Sequence, residues 1–222
     1  MANTSTSGAV GGVATLLAEG GSVNLYMGFG GTNAGFTSGA NGGGADFQPV
    51  ITSYDYNSPI QEGGGHGYGP GDGDKFQAFL QLFAYWSGVA PAPEPPAPAV
   101  TAYGSVTMSS GCPLLSVVSS LAGASAAHGL AAPLTMEALG QRHGYALYAS
   151  ALPAGATPGK AAKLVLAGLA DRAEAFVGGA SAGVTYRPDT GAGTISVAGS
   201  LVAPGAQLAV LVENCGHINY GR

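Results

Sequence analysis

The sequence has 222 residues, of which 46% are hydrophobic and only 9% charged, and its formal net charge is −5. An average globular domain has a similar apolar share but about 25% charged residues, so glycine, alanine and small polar residues must cover much of this surface. The acidic balance and the seven scattered Lys and Arg residues exclude the clustered basic patch that nucleic-acid binding requires.

Two other classes of protein are disfavoured by local patterns. No apolar run approaches the roughly 20 residues needed to cross a bilayer, so we expect no membrane span. Residues 1–12 lack the basic start and the continuous apolar core of a signal peptide. The four histidines have no metal-like spacing, and we expect neither a metal site nor a cofactor.

The first part of the chain predicts helices, a strand and glycine-rich loops. Apolar residues at helical spacing predict a helix over Ala9–Glu19, which Gly20-Gly21 then ends. Ser22–Met27 predicts a short strand, and a helix joined to a strand by a glycine turn is typical of α/β folds. Ile51–Tyr56 is expected to be extended, and Asp74–Trp86 predicts a second amphipathic helix.

The composition changes at residues 90–99, APAPEPPAPA, whose five prolines favour a semi-rigid spacer. Beyond it, short alternating segments separated by glycine-rich turns predict a β-sandwich or jelly roll. The predicted strands lie within Ala102–Met108, His143–Ser150, Lys163–Ala167, Arg172–Val177, Thr194–Val197 and Gln207–Glu213. The cysteines Cys112 and Cys215 could form one bridge, although the apolar run before Cys215 favours a buried free thiol.

Four sequence blocks in one order resemble the β-galactosidases of glycoside hydrolase family 35. The first holds SVNLYM, GGTNAGF, TSGAN and ITSYDYNSPIQEGG; the others are LTMEALGQRHGYALY, GLADRAEAFVGG and LAVLVENCGHINYGR. The blocks span Ser22–Gly64, Leu134–Tyr148, Gly168–Gly179 and Leu208–Arg222.

The resemblance implies an α+β fold that is mostly β. Residues 1–89 are expected to be a remnant of the last αβ unit of a TIM barrel, and residues 90–99 a proline-rich linker. Residues 100–222 are expected to form a β-sandwich or jelly-roll domain of galactose-binding type, incomplete at its C-terminus.

The activity implied by the resemblance is hydrolysis of terminal β-D-galactose by two glutamates about 5 Å apart, with retention of configuration. In this family both glutamates lie on earlier barrel strands. None of the chain's glutamates lies in a block resembling those motifs, so we assign no catalytic residue and expect the isolated chain to be inactive. The glutamates are Glu19, Glu62, Glu94, Glu137, Glu174 and Glu213.

The substrate-binding candidates come from the segment Tyr54–Asp55–Tyr56, which is similar to the family's SYDYD segment. Tyr56 is the best candidate for a sugar contact, because a tyrosine offers both a hydroxyl and an apolar ring face, and Tyr54 is the second. The alternative is that these residues serve packing or a turn, which we favour for Tyr54 and Asp55. Ala34 and Thr37 are small where family members often carry aromatic residues.

Two alternatives stay open: a non-catalytic carbohydrate-binding β-module, and a fragment with no function of its own. The implied partner is a β-galactoside, and the implied compartment is extracellular, vacuolar or lysosomal. Two features of the β part are predicted to be structural. Asp171 and Arg172 should form a local salt link, and His217 stands where the family usually has a basic residue.

Overall fold

The structure, a computed structural model, describes residues 4–42, 48–50, 52–54, 58–66, 73–96, 98–122, 129–188 and 191–220. The helices of these ranges are α1 (Thr6–Ala18), α2 (Lys75–Ser87) and α3 (Leu114–Ala122). The strands are β1 (Ala40–Asn41), β2 (Gln48–Pro49), β3 (Gly144–Ala151), β4 (Ala162–Ala167), β5 (Arg172–Val177), β6 (Ala180–Tyr186), β7 (Ala192–Val197), β8 (Gln207–Asn214) and β9 (Ile218–Tyr220). The described chain is therefore mostly β with few helices, as the sequence predicts. None of its helices has the length and apolar character needed to cross a membrane.

The chain divides into two compact units. The first is Met1–Asn33 with Ile51–Val106, and the second is Ala34–Val50 with Thr107–Arg222. Residues 34–50, which the sequence pattern groups with the barrel remnant, thus belong to the second unit. The division at residues 1–89, 90–99 and 100–222 stays a prediction.

The two predicted helices of the first unit are confirmed, and each has a side-chain cap. The Ser5 hydroxyl accepts a hydrogen bond from the N–H of Gly8 at 3.1 Å at the start of α1. The Asp74 carboxylate accepts one from the N–H of Gln77 at 3.1 Å at the start of α2. Such caps satisfy backbone donors that the first helical turn leaves unpaired, and they fix where each helix begins. At its other end α2 stops at Gly88, which adopts the left-handed conformation.

The second unit is built on two antiparallel sheets that share one core. The larger has the strand order β3-β8-β5-β6, and the smaller pairs β4 with β7. Alternate residues of β5 and β7 point into the core, as their sequence alternation predicts. Ala173 and Ala175 are fully buried against Ile195 of the opposite sheet, so small side chains allow the sheets to approach closely.

A third, smaller sheet joins residues 34–50 to the C-terminal end of the chain. Its strand order is β2-β1-β9, with β1 parallel to β9. The N–H of Gly39 donates to the carbonyl of Cys215 at 2.9 Å, and that of Ala40 to the carbonyl of His217 at 3.2 Å. Gly39 has φ +73°, and a Cβ there would lie 2.2 Å from the His217 oxygen, so only glycine fits. The TSGAN segment and residues 215–220, far apart in sequence, therefore contact each other.

Two predicted strands are wrong. Ser22–Met27 has no regular structure, and Tyr26 is 86% exposed. Ala102–Met108 is also irregular and exposed. In both cases the segment has strand-like composition, but no described segment pairs with it. A strand is stable only when its backbone groups are hydrogen-bonded to a neighbour.

Candidate functional site

Backbone hydrogen bonds join three loop stretches of the first unit into what we call the rim cluster, residues 28–33, 52–54 and 58–62. The N–H of Ile60 donates to the carbonyl of Gly28 at 2.9 Å. The N–H of Tyr54 donates to the carbonyl of Gly31 at 3.0 Å. Gly31 has φ +73°, a conformation that favours glycine. The GGTN segment is therefore the backbone support on which Tyr54 is held.

The two predicted sugar-contact residues differ in what the structure describes. Tyr54 is half-buried at the edge of the rim cluster. Tyr56, like Asp55, lies outside the described residues. On the other side of this stretch the Ser58 hydroxyl donates to the carbonyl of Ile60 at 2.6 Å. The described backbone on both flanks of residues 55–57 is thus fixed to the rim cluster, while the sugar contacts themselves stay a prediction.

Glu62 is the carboxylate of the rim cluster. It is half-buried, and one of its oxygens accepts a hydrogen bond from the Thr32 hydroxyl. Thr32 in turn forms an antiparallel bridge with Ser53. Thr32 therefore connects Glu62, in the third stretch of the rim cluster, with Ser53, in the second stretch next to Tyr54.

Three other glutamates of the described chain contact basic groups. On the β5 and β8 strands, Glu174 and Glu213 lie 3.1 and 3.7 Å from the guanidinium of Arg172. Arg172 and Glu213 are direct cross-strand partners. In the first unit, Glu94 contacts the ring of His66. The cross-strand ion pair between Arg172 and Glu213 stabilises the pairing of β5 with β8, which is a structural role.

The predicted salt link between Asp171 and Arg172 is wrong. Asp171, which is only 1% exposed, pairs instead with Arg187, whose Nε and a terminal nitrogen lie 2.9 and 2.6 Å from one carboxylate oxygen. Its second oxygen accepts the N–H of Cys215 at 2.8 Å. Arg172 lies on the strand that follows and turns toward Glu174 and Glu213.

A β-bulge explains why the Asp171–Arg187 pair was missed. In a regular antiparallel hairpin that turns at Gly178-Gly179, residue 171 would lie opposite Tyr186. The hairpin of β5 and β6 shifts register between Ala175 and Phe176, so the partner moves by one residue to Arg187. A buried acid next to the start of a strand was the available signal, but its partner depended on the bulge.

Comparison with known families assigns both parts of the sequence. Residues 1–70 match the family described as glycosyl hydrolases family 35. Residues 133–222 match the domain described as the first all-beta domain of beta-galactosidase. The two matches occur in the order expected from the sequence blocks. The rim cluster lies within the first match, and the strands β3 to β9 lie within the second.

Individual relatives agree with these matches. The chain is 34% identical to a human beta-galactosidase over 206 residues, which is 93% of this chain and 28% of that protein. It is 34% identical to beta-galactosidase 17 of Arabidopsis thaliana over 219 residues, covering 93% and 30%. It is 30% identical to beta-galactosidase 8 of rice over 229 residues, covering 100% and 33%. The chain therefore spans about a third or less of the length of these relatives.

Proposed function

Because this chain belongs to glycoside hydrolase family 35, we propose that it forms the last αβ unit of the barrel and the first β-domain of a β-galactosidase. Such an enzyme removes terminal non-reducing β-D-galactose with retention of configuration. The substrate is a β-galactoside, and the compartment that the family resemblance favours is extracellular, vacuolar or lysosomal. The observation that carries the proposal is the order of the two family matches, residues 1–70 and then residues 133–222.

The unpaired segment Ser22–Met27 supports the barrel assignment. Leu25 and Tyr26 are 36% and 86% exposed. A barrel strand is paired on both sides and covered on both faces. Val23 and Met27 are half-buried, but no described segment pairs with this stretch, which fits one barrel strand considered without its neighbours.

The chemistry requires two carboxylates, one to attack the anomeric carbon and one to protonate the leaving oxygen. Glu94, Glu174 and Glu213 are each held by a basic side chain, and Glu62 accepts from Thr32. Glu19 and Glu137 are exposed, and no described contact arranges two glutamate carboxyl groups across an open sugar site. We therefore propose that this chain carries neither the nucleophile nor the acid, and that both belong to earlier strands of the barrel.

The role left for this chain is to shape the rim of the pocket. In a TIM barrel the loops that follow the strands surround the substrate. The rim cluster follows Ser22–Met27 in the chain. Within it the N–H of Tyr54 donates to the carbonyl of Gly31 at 3.0 Å, which fixes the backbone of Tyr54. We propose that Tyr56 donates a hydrogen bond to a sugar hydroxyl, with Tyr54 as a second contact, and that neither takes part in bond cleavage.

A galactose titration followed by NMR tests this role against the carbohydrate-binding alternative. A rim without the remaining walls should bind galactose too weakly to saturate in the millimolar range. Saturable binding to the purified chain, with shifts confined to the β-domain, would favour a binding module. Glucose serves as the control sugar, since a specific module should distinguish the two.

A further inference from the structure

His66, in the glycine-rich stretch after the rim cluster, has a carboxylate at each ring nitrogen. Its Nδ1 lies 2.5 Å from an Asp74 oxygen, and its Nε2 contacts an oxygen of Glu94. A neutral imidazole has one N–H and one lone pair, so it can donate to only one of two carboxylates. The imidazolium ion donates from both nitrogens. The geometry therefore fits the charged form of the ring.

Helix α2 holds the ring and both carboxylates in place. The Phe76 ring stacks on His66 with centroids 4.8 Å apart. The Gln77 side chain donates to the second oxygen of Glu94 at 2.6 Å, and its N–H donates to the second oxygen of Asp74 at 3.1 Å. Each carboxylate thus keeps one oxygen for α2 and presents the other to the ring.

Glu94 belongs to the proline-rich segment 90–99. The described residues of that segment are exposed and have no regular structure. A second close approach occurs at Gly64, where a Cβ would lie 3.0 Å from the ring of Pro98. The segment therefore runs along α2 and the loop before it, with Glu94 as its polar attachment.

We propose that His66, Asp74 and Glu94 form a proton-dependent clasp that fastens the proline-rich segment to the start of α2. The protonated ring bridges the two carboxylates and closes the clasp. Loss of the proton leaves one ring nitrogen with a lone pair facing a carboxylate, and the Glu94 attachment weakens. The ligand is the proton itself: among the described residues, no group of His, Cys, Asp and Glu could hold a metal ion. The Asp74 and Glu94 carboxylates contact different nitrogens of the His66 ring, so the ring lies between them.

The direction of the pH dependence follows from the groups that face the ring. Hydrogen bonds from His66 to Glu94 and then to Asp74 raise the pKa of His66 above its usual 6.5, and burial opposes them. Helix α2 presents only the uncharged Phe76 and Gln77, since the Lys75 ammonium donates to Thr4 at 2.8 Å. The clasp is therefore closed below pH 6.5 and opens as pH rises through the raised pKa.

Histidine titration by NMR on the intact chain tests the clasp, with His66 assigned through His66→Asn. We expect His66 to titrate above 6.5 and contacts between its ring protons and the Glu94 side chain to vanish at the same midpoint. Glu94→Gln should lower that midpoint. Glu137→Gln, an exposed residue of the second unit, removes the same charge and should leave it unchanged.

The proposal is overturned if His66 titrates at or below 6.5 in the unaltered chain, or if its contacts with Glu94 persist on both sides of the midpoint. Neither measurement depends on the Glu94→Gln variant, so a misfolded Glu94→Gln protein cannot obscure the result. A midpoint that responds equally to Glu94→Gln and Glu137→Gln would also overturn it, because a general charge effect would then suffice.

Discussion

Arg187 donates two hydrogen bonds, of 2.9 and 2.6 Å, to a single oxygen of Asp171. The other oxygen of Asp171 is left for the N–H of Cys215 at 2.8 Å. The backbone joins the same residues, because the N–H of Arg187 donates to the carbonyl of Asp171 at 2.6 Å. One buried carboxylate thus connects the entry of β5, the exit of β6 and the end of β8.

Replacing Asp171 with Asn should destabilise the second unit. The change leaves the guanidinium of Arg187, which is 28% exposed, without the counter-charge of a carboxylate that is 1% exposed, and we expect a loss of up to about 3 kcal/mol. Glu174→Gln is the matched control on the adjoining strand, where both partners are about a quarter exposed and a loss of about 0–1 kcal/mol is expected. Urea unfolding gives the free energy of unfolding of both variants. Equal losses of stability would contradict a larger contribution from the buried Asp171 than from the more exposed ion pair.

Gly39→Ala should disrupt the pairing of β1 with β9. The left-handed backbone costs about 1 kcal/mol with any L side chain, and the new Cβ would also meet the His217 carbonyl at 2.2 Å. Gly35→Ala is the control, because Gly35 has φ +59° with nothing near its Cβ position. We expect a larger loss of stability for Gly39→Ala and faster hydrogen exchange at Ala40. Equal effects of the two substitutions would contradict the close approach.

Cys215 should resist alkylation in the folded chain. Burial, with smaller effects of Glu213 and Asp171, raises the pKa of its thiol to about 11. At pH 8 only about 0.1% is then the reactive thiolate. Cys112 is free and exposed. Mass spectrometry after iodoacetamide treatment should therefore find the label on Cys112 first, and on both cysteines in urea. Equal rates in the folded protein would contradict the raised pKa.

Tyr56→Phe in a complete enzyme that carries this segment should lower kcat/KM and leave the melting temperature nearly unchanged. One hydrogen bond to a sugar hydroxyl is worth about 0.5–1.5 kcal/mol, or roughly 2- to 10-fold in rate. Tyr186→Phe, at an exposed position on β6, controls for loss of a tyrosine hydroxyl. Wild-type kinetics with reduced stability would instead assign Tyr56 to packing.

Three of the strands that the sequence predicted correctly, β5, β7 and β8, supply buried residues of the core. In β5 the alternation of Ala173, Ala175 and Val177 with half-buried residues is visible without any partner. Strand β6, ASAGVTY, was not predicted because its side chains are mostly small and its pairing is imposed by β5. Intrinsic strand preference is weak compared with what neighbouring strands provide.

Long-range relationships were the part that local patterns could not supply. Helices α1 and α2 were predicted because their apolar spacing is a local pattern. The parallel pairing of Ala40 with Ile218 joins residues far apart in the chain. The His66 contacts with Asp74 and Glu94 likewise depend on how α2 and the proline-rich segment fold back. Nothing in the spacing of these residues indicates their proximity.

Hydrolysis of a chromogenic β-galactoside by the purified chain tests our central proposal most directly, namely that this segment shapes the pocket of a β-galactosidase and carries neither of its catalytic carboxylates. A chain with neither the nucleophile nor the acid cannot form the covalent glycosyl-enzyme intermediate, so release of the chromophore should not exceed the buffer background. Turnover that survives repurification of the chain and is abolished by Glu62→Gln would contradict the claim, and would identify the rim-cluster carboxylate as catalytic.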